Sequence, residues 1–345
     1  MRFFWALASL RESRFCSPRF HAKAPSRKEN RKVEHDSSTS CLYIQVGDLN
    51  KDPSRIRVLH FAPRACWPLD TGSKLRIYHL ARVLGAQARV ALLAFAEPGQ
   101  NLSELEEVFE KVVTVSRGKG YSFGTVLRGA VGKTPLPLLN YTTEEMKQGL
   151  ARLLEEHDFD VIQVESFHLM NYLPVIRAVR SRPLVVCDWH NVESDLMRQY
   201  AESERNLVRK AYARRTARLM SEFEERALNE FDAHLTVSEQ DAERLRSMNS
   251  KARILVIENG VDVANFANEE ATRKSRIVFV GSMDYHANIE GVTSFARNVW
   301  PLLRGKKPEL SFTIVGRDPA PSVRELSSLV GVEVTGSVDD VRPYY

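Results

Sequence analysis

The regular alternation of short apolar runs with longer amphipathic stretches narrows the folds open to this chain more than any other feature. Ile56–Ala62, Arg89–Phe95, Val112–Val115, Val161–Glu165, Leu184–Cys187, Ala233–Val237 and Ile254–Ile257 are rich in aliphatic residues and too short for helices. Between them lie stretches with helical spacing. Ile77, Leu80, Ala81 and Leu84 line a helix from Lys74 that Ser73 caps, and a second helix is expected near Thr143–Glu156. A long charged helix from Ser194 to Asn229 has Leu219, Phe223 and Ala227 as its apolar stripe. Strands buried on both faces and joined by helices form a parallel, doubly wound sheet. A smaller set repeats the pattern with strands Arg276–Val280, Ser311–Val315 and Val332–Thr335, and a helix that Asn288 caps and Pro301 ends. The expected class is α/β with two such domains, over 55–262 and 275–345, joined by a polar linker at 263–274. Three strands in roughly 70 residues leave faces and an edge uncovered, so the second domain is expected to be incomplete.

Composition adds exclusions. The chain has 345 residues, 43% hydrophobic and 27% charged, with no apolar run of transmembrane length. Cys16, Cys41, Cys66 and Cys187 are far apart without a CxxC pair, which argues against structural zinc and a disulfide scaffold and suits a reducing, cytoplasmic setting. The net charge of +5 is local: residues 1–35 hold nine Lys/Arg against three Glu, a net +6, so everything after sums to −1. A near-neutral body is no signature of a nucleic-acid enzyme. Residues 1–54 carry this basic stretch without periodicity and are expected to be a disordered tail; the composition also suits a transit peptide or an upstream start.

Chemistry is expected at strand ends, where ligands sit in open α/β sheets. Leu184–Cys187 breaks into Asp188, Trp189, His190 and Asn191; His190 is either a functional group or a core histidine anchoring a turn. Gly281, Gly316 and Gly336 each end a strand of the second domain and would let a phosphate approach the backbone, with Arg317 as its cation and a surface turn as the plainer reading of that residue. Gly72, Ser73 and Lys74 bring a glycine, a hydroxyl and a cation to a helix start. On the long helix, Arg205, Arg209, Lys210, Arg214 and Arg215 read first as a solvated, ion-paired face and second as a contact for an anionic membrane surface. Gly129–Thr134 resembles a phosphate-binding loop, but Leu127 stands where that motif needs glycine and Pro135 blocks the following helix. Gly118, Gly120 and Gly124 have the wrong spacing for GxGxxG, and no metal motif is present.

Taken together, DTGSKLR–YHL within Ile56–Gly85, DWHNVESDLMRQY at 188–200, TVSEQDAERL at 236–245 and ENGVD at 258–262 resemble the sugar transferases of glycosyltransferase family 4, in particular the group associated with bacterial exopolysaccharide systems. FVGSMDYHANIEGV at 279–292, IVGRDPAPSVREL at 314–326 and VTGSVDDVRPYY at 334–345 continue the match in family order to the last residue. The resemblance implies a GT-B-like pair of Rossmann-like domains with the active site in the cleft between them. It also implies sugar transfer from a nucleotide-sugar donor to a saccharide or lipid-linked acceptor, with retention, without a resident cofactor or a DxD-bound metal. His190 would be the catalytic residue. Gly72, Ser73, Lys74, Gly281, Ser282, Gly316 and Arg317 would bind donor phosphates, and Asp188, Asn191, Glu193, Asn259 and Gly260 would line the cleft.

The sequence departs from that pattern in places. Ser282 and Ala287 stand where most members carry Arg and Lys, and residues 1–54 match nothing in the family. The match stops before the segment that usually carries a Lys and paired glutamates, so a truncated donor domain with impaired transfer is expected. The alternatives are a non-catalytic remnant or binding subunit of a split transferase, and a sugar-nucleotide epimerase. No nucleic-acid partner is expected, and the setting is cytoplasmic, at most peripheral to the inner membrane face.

Overall fold

The computed structural model describes residues 56–117, 129, 132–263, 266 and 275–345. The basic tail, the Gly118–Gly124 stretch, part of the phosphate-loop look-alike and nearly all of the expected linker lie outside the described residues. The chain forms two compact units that meet at Asn259 and Gly260, and each is described by itself.

The first unit holds seven strands: β1 (Arg57–Ala62), β2 (Arg89–Ala96), β3 (Lys111–Ser116), β4 (Val161–Val164), β5 (Leu184–Trp189), β6 (Ala233–Thr236) and β7 (Ile254–Val256). All pair in parallel, in the order β3-β2-β1-β4-β5-β6-β7. The chain winds outward from β1 to β3, returns to the middle, and winds out the other way from β4. The order therefore reverses between β1 and β4, where their carboxyl ends open a crevice.

Helices α1 (Gly72–Gly85), α2 (Glu144–Glu156), α3 (Glu193–Ser203), α4 (Leu207–Glu230) and α5 (Glu239–Met248) cover the faces. The two-residue period of each strand sorts its side chains. Leu59, Phe61, Ile162, Val164, Val185 and Cys187 join one core with Met146, Leu150, Met220 and Phe223 from α2 and α4. Val58, Ala62, Val161, Leu184 and Val186 join the other, against Ile77, Ala81 and Leu84 of α1. By the same alternation His60, Gln163 and Asp188 face the α1 side at the crevice. No described helix is long and apolar enough to cross a membrane.

The second unit has strands β8 (Arg276–Val280), β9 (Ser311–Val315) and β10 (Val332–Gly336), parallel in the order β10-β9-β8. Its core gathers Met283, Val292, Trp300, Phe312, Ile314 and Leu326.

Four local expectations are corrected. Helix α1 starts at Gly72, so Ser73 is inside it, and Thr71 holds the cap position without a side-chain cap bond. The long charged helix is two helices: the chain breaks at 204–206, where the Asn206 side chain accepts from the N–H groups of Val208 and Arg209 and starts α4. In the second unit α6 (His286–Ser294) begins two residues before Asn288, whose amide donates to the Ser282 carbonyl at 2.9 Å. Pro301 does not end the helical run; it sits in the first turn of α7 (Trp300–Lys306), after a π-helical turn over Phe295–Val299. A wider turn before the ring is one way a helix accommodates the N–H and the space that proline removes.

Gly316 is the tightest point of the second unit. A Cβ there would lie 1.7 Å from the carbonyl oxygen of Gly281. Gly316→Ala is expected to destabilise the second unit by more than about 3 kcal/mol, at the upper end of overpacking costs. Calorimetry should show the transition of this unit shifted or lost and that of the first unit unchanged.

Candidate functional site

The crevice between β1 and β4 holds a buried polar cluster built around Arg76. This residue comes from the first turn and a half of α1, directly before the core residue Ile77, and is only 6% exposed. Its Nε and one terminal nitrogen donate to Asp188 at 2.9 and 3.0 Å, a two-pronged contact with a buried carboxylate. The other terminal nitrogen donates to the Ile257 carbonyl at 2.8 Å and to Asn259 Oδ1 at 3.0 Å. One side chain thus ties α1 to the end of β5 and to the last residues of the first unit.

Glu165, directly after β4, is the second anion. Its Oε1 accepts from His60 Nδ1 at 2.6 Å and from Gln163 Nε2 at 2.9 Å, and its Oε2 accepts from His190 Nε2 at 3.1 Å. A carboxylate can only accept, so both imidazoles donate to it. Burial would raise the Glu165 pKa, but the hydrogen bonds from His190 and His60 outweigh it and hold the carboxyl below its usual range. His190 moves the other way: burial opposes its charge, yet the bond to Glu165 and the nearby Asp188 raise its pKa. Burial and the Glu165 charge push Asp188 up against the pull of Arg76. With Nε2 turned to Glu165, His190 has Nδ1 left for a substrate atom.

The remaining candidates are spread out. Asn191 is exposed and Glu193 is half-buried at the start of α3, where burial and Glu224 push its carboxyl up to about 7. Lys74 is paired with Asp70 at 2.8 Å, and the Thr71 and Ser73 hydroxyls lie 3.4 Å apart. Gly72 faces open space: a Cβ there would meet nothing within 4 Å. In the second unit Gly281, Ser282, Gly316 and Arg317 do come together. Arg317 Nε donates to the Ser282 hydroxyl at 3.1 Å, that hydroxyl is 2.6 Å from Asp284, and the Gly281 N–H donates to the Val315 carbonyl. Gly260 is exposed and belongs to this second unit.

Of the residues in this cluster, sequence reasoning named Asp188, His190 and Asn259 and missed Arg76, Glu165, His60 and Gln163. A signal existed for Glu165, which closes an apolar strand just as Asp188 nearly closes the next one. Glu165, Asp188 and His190 also bring one donor atom each within 4.8 Å of one another, a spacing a metal ion could use. Both Asp188 oxygens already accept from Arg76, and both Glu165 oxygens accept from N–H groups, so an ion there would have to displace the guanidinium.

The two parallel α/β units have the fold of GT-B glycosyltransferases. The description "Glycosyltransferase Family 4" matches residues 71–265, more than half of the chain, and "Glycosyl transferases group 1" matches residues 274–345. The chain belongs to glycosyltransferase family 4. No curated protein sequence matches it significantly. Among solved structures it is similar to TarM, at 8% identity and a TM-score of 0.56, covering 85% of this chain and 79% of that one. A TarM variant from S. aureus, solved with fondaparinux, α-GlcNAc-glycerol and UDP, aligns at 9% identity and 0.53, covering 82% and 78%. The N-terminal domain of Candida albicans trehalose-6-phosphate phosphatase aligns at 11% and 0.50, covering 84% and 74%. At these identities the likeness concerns the fold.

Two outcomes follow from the charge cluster. Arg76→Met leaves Asp188 buried without its cation and is expected to cost about 3–5 kcal/mol, much of which Arg76→Met with Asp188→Asn should restore; denaturant unfolding of the three variants measures this. Because the pKa of His190 is raised above 6.5, its proton contributes stability that is full below pH 6.5 and is lost as pH rises through the folded value. Glu165→Gln should lower the His190 pKa below 6.5, since burial then dominates, and a histidine NMR titration reads the change directly.

Proposed function

We propose that this chain moves a sugar from a nucleoside-diphosphate sugar to a saccharide acceptor, free or lipid-linked, with retention of configuration. The observation that carries the reading is the bond between buried Glu165 and half-buried His190 at the switch point of the first unit, inside the region matched by family 4. The resemblance of its segments to the exopolysaccharide-associated group makes a growing polysaccharide, or its lipid-linked precursor, the first acceptor class to assay. UDP, present in the TarM variant structure, is the first carrier to assay.

The chemistry divides between the units. Departure of the leaving diphosphate builds negative charge, and positioned cations and N–H groups stabilise such charge strongly in a water-poor site. Arg317, with Ser282 beside it, is assigned to the donor diphosphate in the second unit. His190, held by Glu165 through Nε2, presents Nδ1–H to a sugar hydroxyl or a phosphate oxygen. The bond to Glu165 raises the His190 pKa and so favours the protonated, donating imidazole. Gly72 leaves the start of α1 clear for an approaching polar group. The reading assigns no resident cofactor, and leaves stabilisation of the diphosphate to protein cations.

Turnover of a panel of UDP- and GDP-sugars by the purified chain tests the reading. His190→Ala is expected to lower kcat by about 10²–10⁴-fold; it also takes a partner from the buried Glu165 and lowers the thermal midpoint, so turnover is compared at a temperature where the variant is folded. Gly72→Ala, which meets nothing in the fold, should raise KM without destabilising the protein, and EDTA should leave turnover unchanged. Binding of the nucleotide-sugar without any turnover would replace transfer by a binding role, and loss of activity in EDTA would overturn the metal-independent assignment.

A further inference from the structure

The helical hairpin of α3 and α4 carries a surface that packing does not use. Helix α4 runs for 24 residues, yet its first buried residue is Ala213. Residues 207–212 therefore hold no fully buried side chain over roughly 9 Å of helix axis, at about 1.5 Å per residue, and Lys210 alone among them is half-buried. Leu207 and Val208 are 80% and 79% exposed, and Tyr212 is 40% exposed. Single exposed aliphatic residues are ordinary on protein surfaces. Two adjacent ones at the turn of a hairpin, with an exposed tyrosine one turn on, are less so.

Cations surround them. Residues 202–215 hold five Lys/Arg against two Glu, a local +3 on a body that is otherwise near neutral. Lys210 lies 3.4 Å from the carbonyl oxygens of Glu202 and Glu204, and Arg215 donates to the carbonyls of Gly129 and Gly132. The side chains of Arg205, Arg209 and Arg214 are exposed and form no ion pair among the described residues. Farther along the same helix the pattern differs: Arg218 pairs with Glu222, and Arg226 with Glu230. The solvated, ion-paired face thus describes the far half of α4 and not its start.

We propose that this tip docks on an anionic lipid surface. Leu207 and Val208 enter the boundary between headgroups and acyl chains, while Arg205, Arg209 and Arg214 pair with lipid phosphates. Apolar side chains ringed by cations are the composition that interfacial binding rewards. A nucleic acid would satisfy the guanidinium groups and leave the aliphatic pair in water. A second copy of the tip would set +3 against +3. The inference stands independently of the transferase reading.

Sedimentation of the full chain tests it, with vesicles of phosphatidylcholine alone and of equal parts phosphatidylcholine and phosphatidylglycerol. Binding is expected only to the anionic vesicles and should weaken with salt. Leu207→Ser with Val208→Ser should reduce it roughly tenfold or more, and Arg205→Gln, Arg209→Gln and Arg214→Gln together roughly a hundredfold. All five positions are exposed, so thermal midpoints should not move. Binding that survives both sets belongs to the basic residues of 1–35 and overturns the proposal, as does an absence of binding to anionic vesicles. A concentration-dependent dimer that dissociates on Leu207→Ser with Val208→Ser would overturn it too, by showing that a second copy covers the tip.

Discussion

Charge balance in the crevice between β1 and β4 is the constraint on which the first unit depends. Glu165 and Asp188 are both fully buried and bring two negative charges. Arg76 supplies one positive charge, held against Asp188 at 2.9 Å. One anion is left over, and removing a charge from water without compensation costs several kcal/mol. His60 and His190, 2.6 and 3.1 Å from Glu165, are the groups able to offset the second anion, and the bond to Glu165 raises the His190 pKa although that side chain is largely buried. A buried set of this kind is weak support for stability, because hydrophobic replacements often do as well. Its value is registration: Arg76 bonds to partners 112 and 183 residues away, so α1, β5 and the exit from the first unit are set relative to one another by one guanidinium.

Much of the fold was legible because every strand of a doubly wound sheet is apolar and short. The strand positions read from the apolar runs fall within a residue or two of those observed, and the alternation inside each run assigns its two faces. The places where the reading slipped share a cause. The break at 204–206 carries neither glycine nor proline, and Asn206 acts through a side-chain cap that looks like any polar residue in a charged stretch. Pro301 looks like a stop, yet a π turn before it takes up the ring. In the crevice, Asp188 and His190 were visible because polar residues cluster where a strand ends. His60 and Gln163 were not, because each interrupts an apolar run singly. Arg76 was hidden because a helix surface admits arginine almost anywhere, and only the tertiary fold turns this one inward.

Glycines show a different limit of the sequence. Gly316 and Gly72 read alike, each a small residue where an anion might approach. Around Gly316 the empty space is filled by the Gly281 carbonyl, so the fold alone requires that glycine. Around Gly72 nothing lies within 4 Å. Gly336, with φ of +75°, has a backbone reason of its own. At Gly281 a Cβ would lie 2.8 Å from the Asn288 amide nitrogen, which is itself held on the Ser282 carbonyl. The strand-end glycines of the second unit thus each have a reason in the fold before any ligand is invoked, and Arg317 with Ser282 bears more of the donor assignment than the glycines do.

The backbone beside Glu165 carries strain that fits the same picture. Ser166 has φ of +115°, a region that non-glycine residues adopt at a cost of about 1–3 kcal/mol and keep only where surroundings enforce it. Its hydroxyl accepts from the His168 N–H, and the short helix that follows places Phe167 against Trp189 with ring centroids 5.2 Å apart. The sharp turn lets Glu165 stay at the end of β4 while Phe167, two residues on, enters the opposite core. His168, one turn on, lies 5.9 Å from the Tyr141 ring in a stacked arrangement, and burial together with the His190 charge pushes its pKa down to about 4. The pKa values of the two histidines thus move in opposite directions. The difference is reach: His190 touches a carboxylate and His168 touches none.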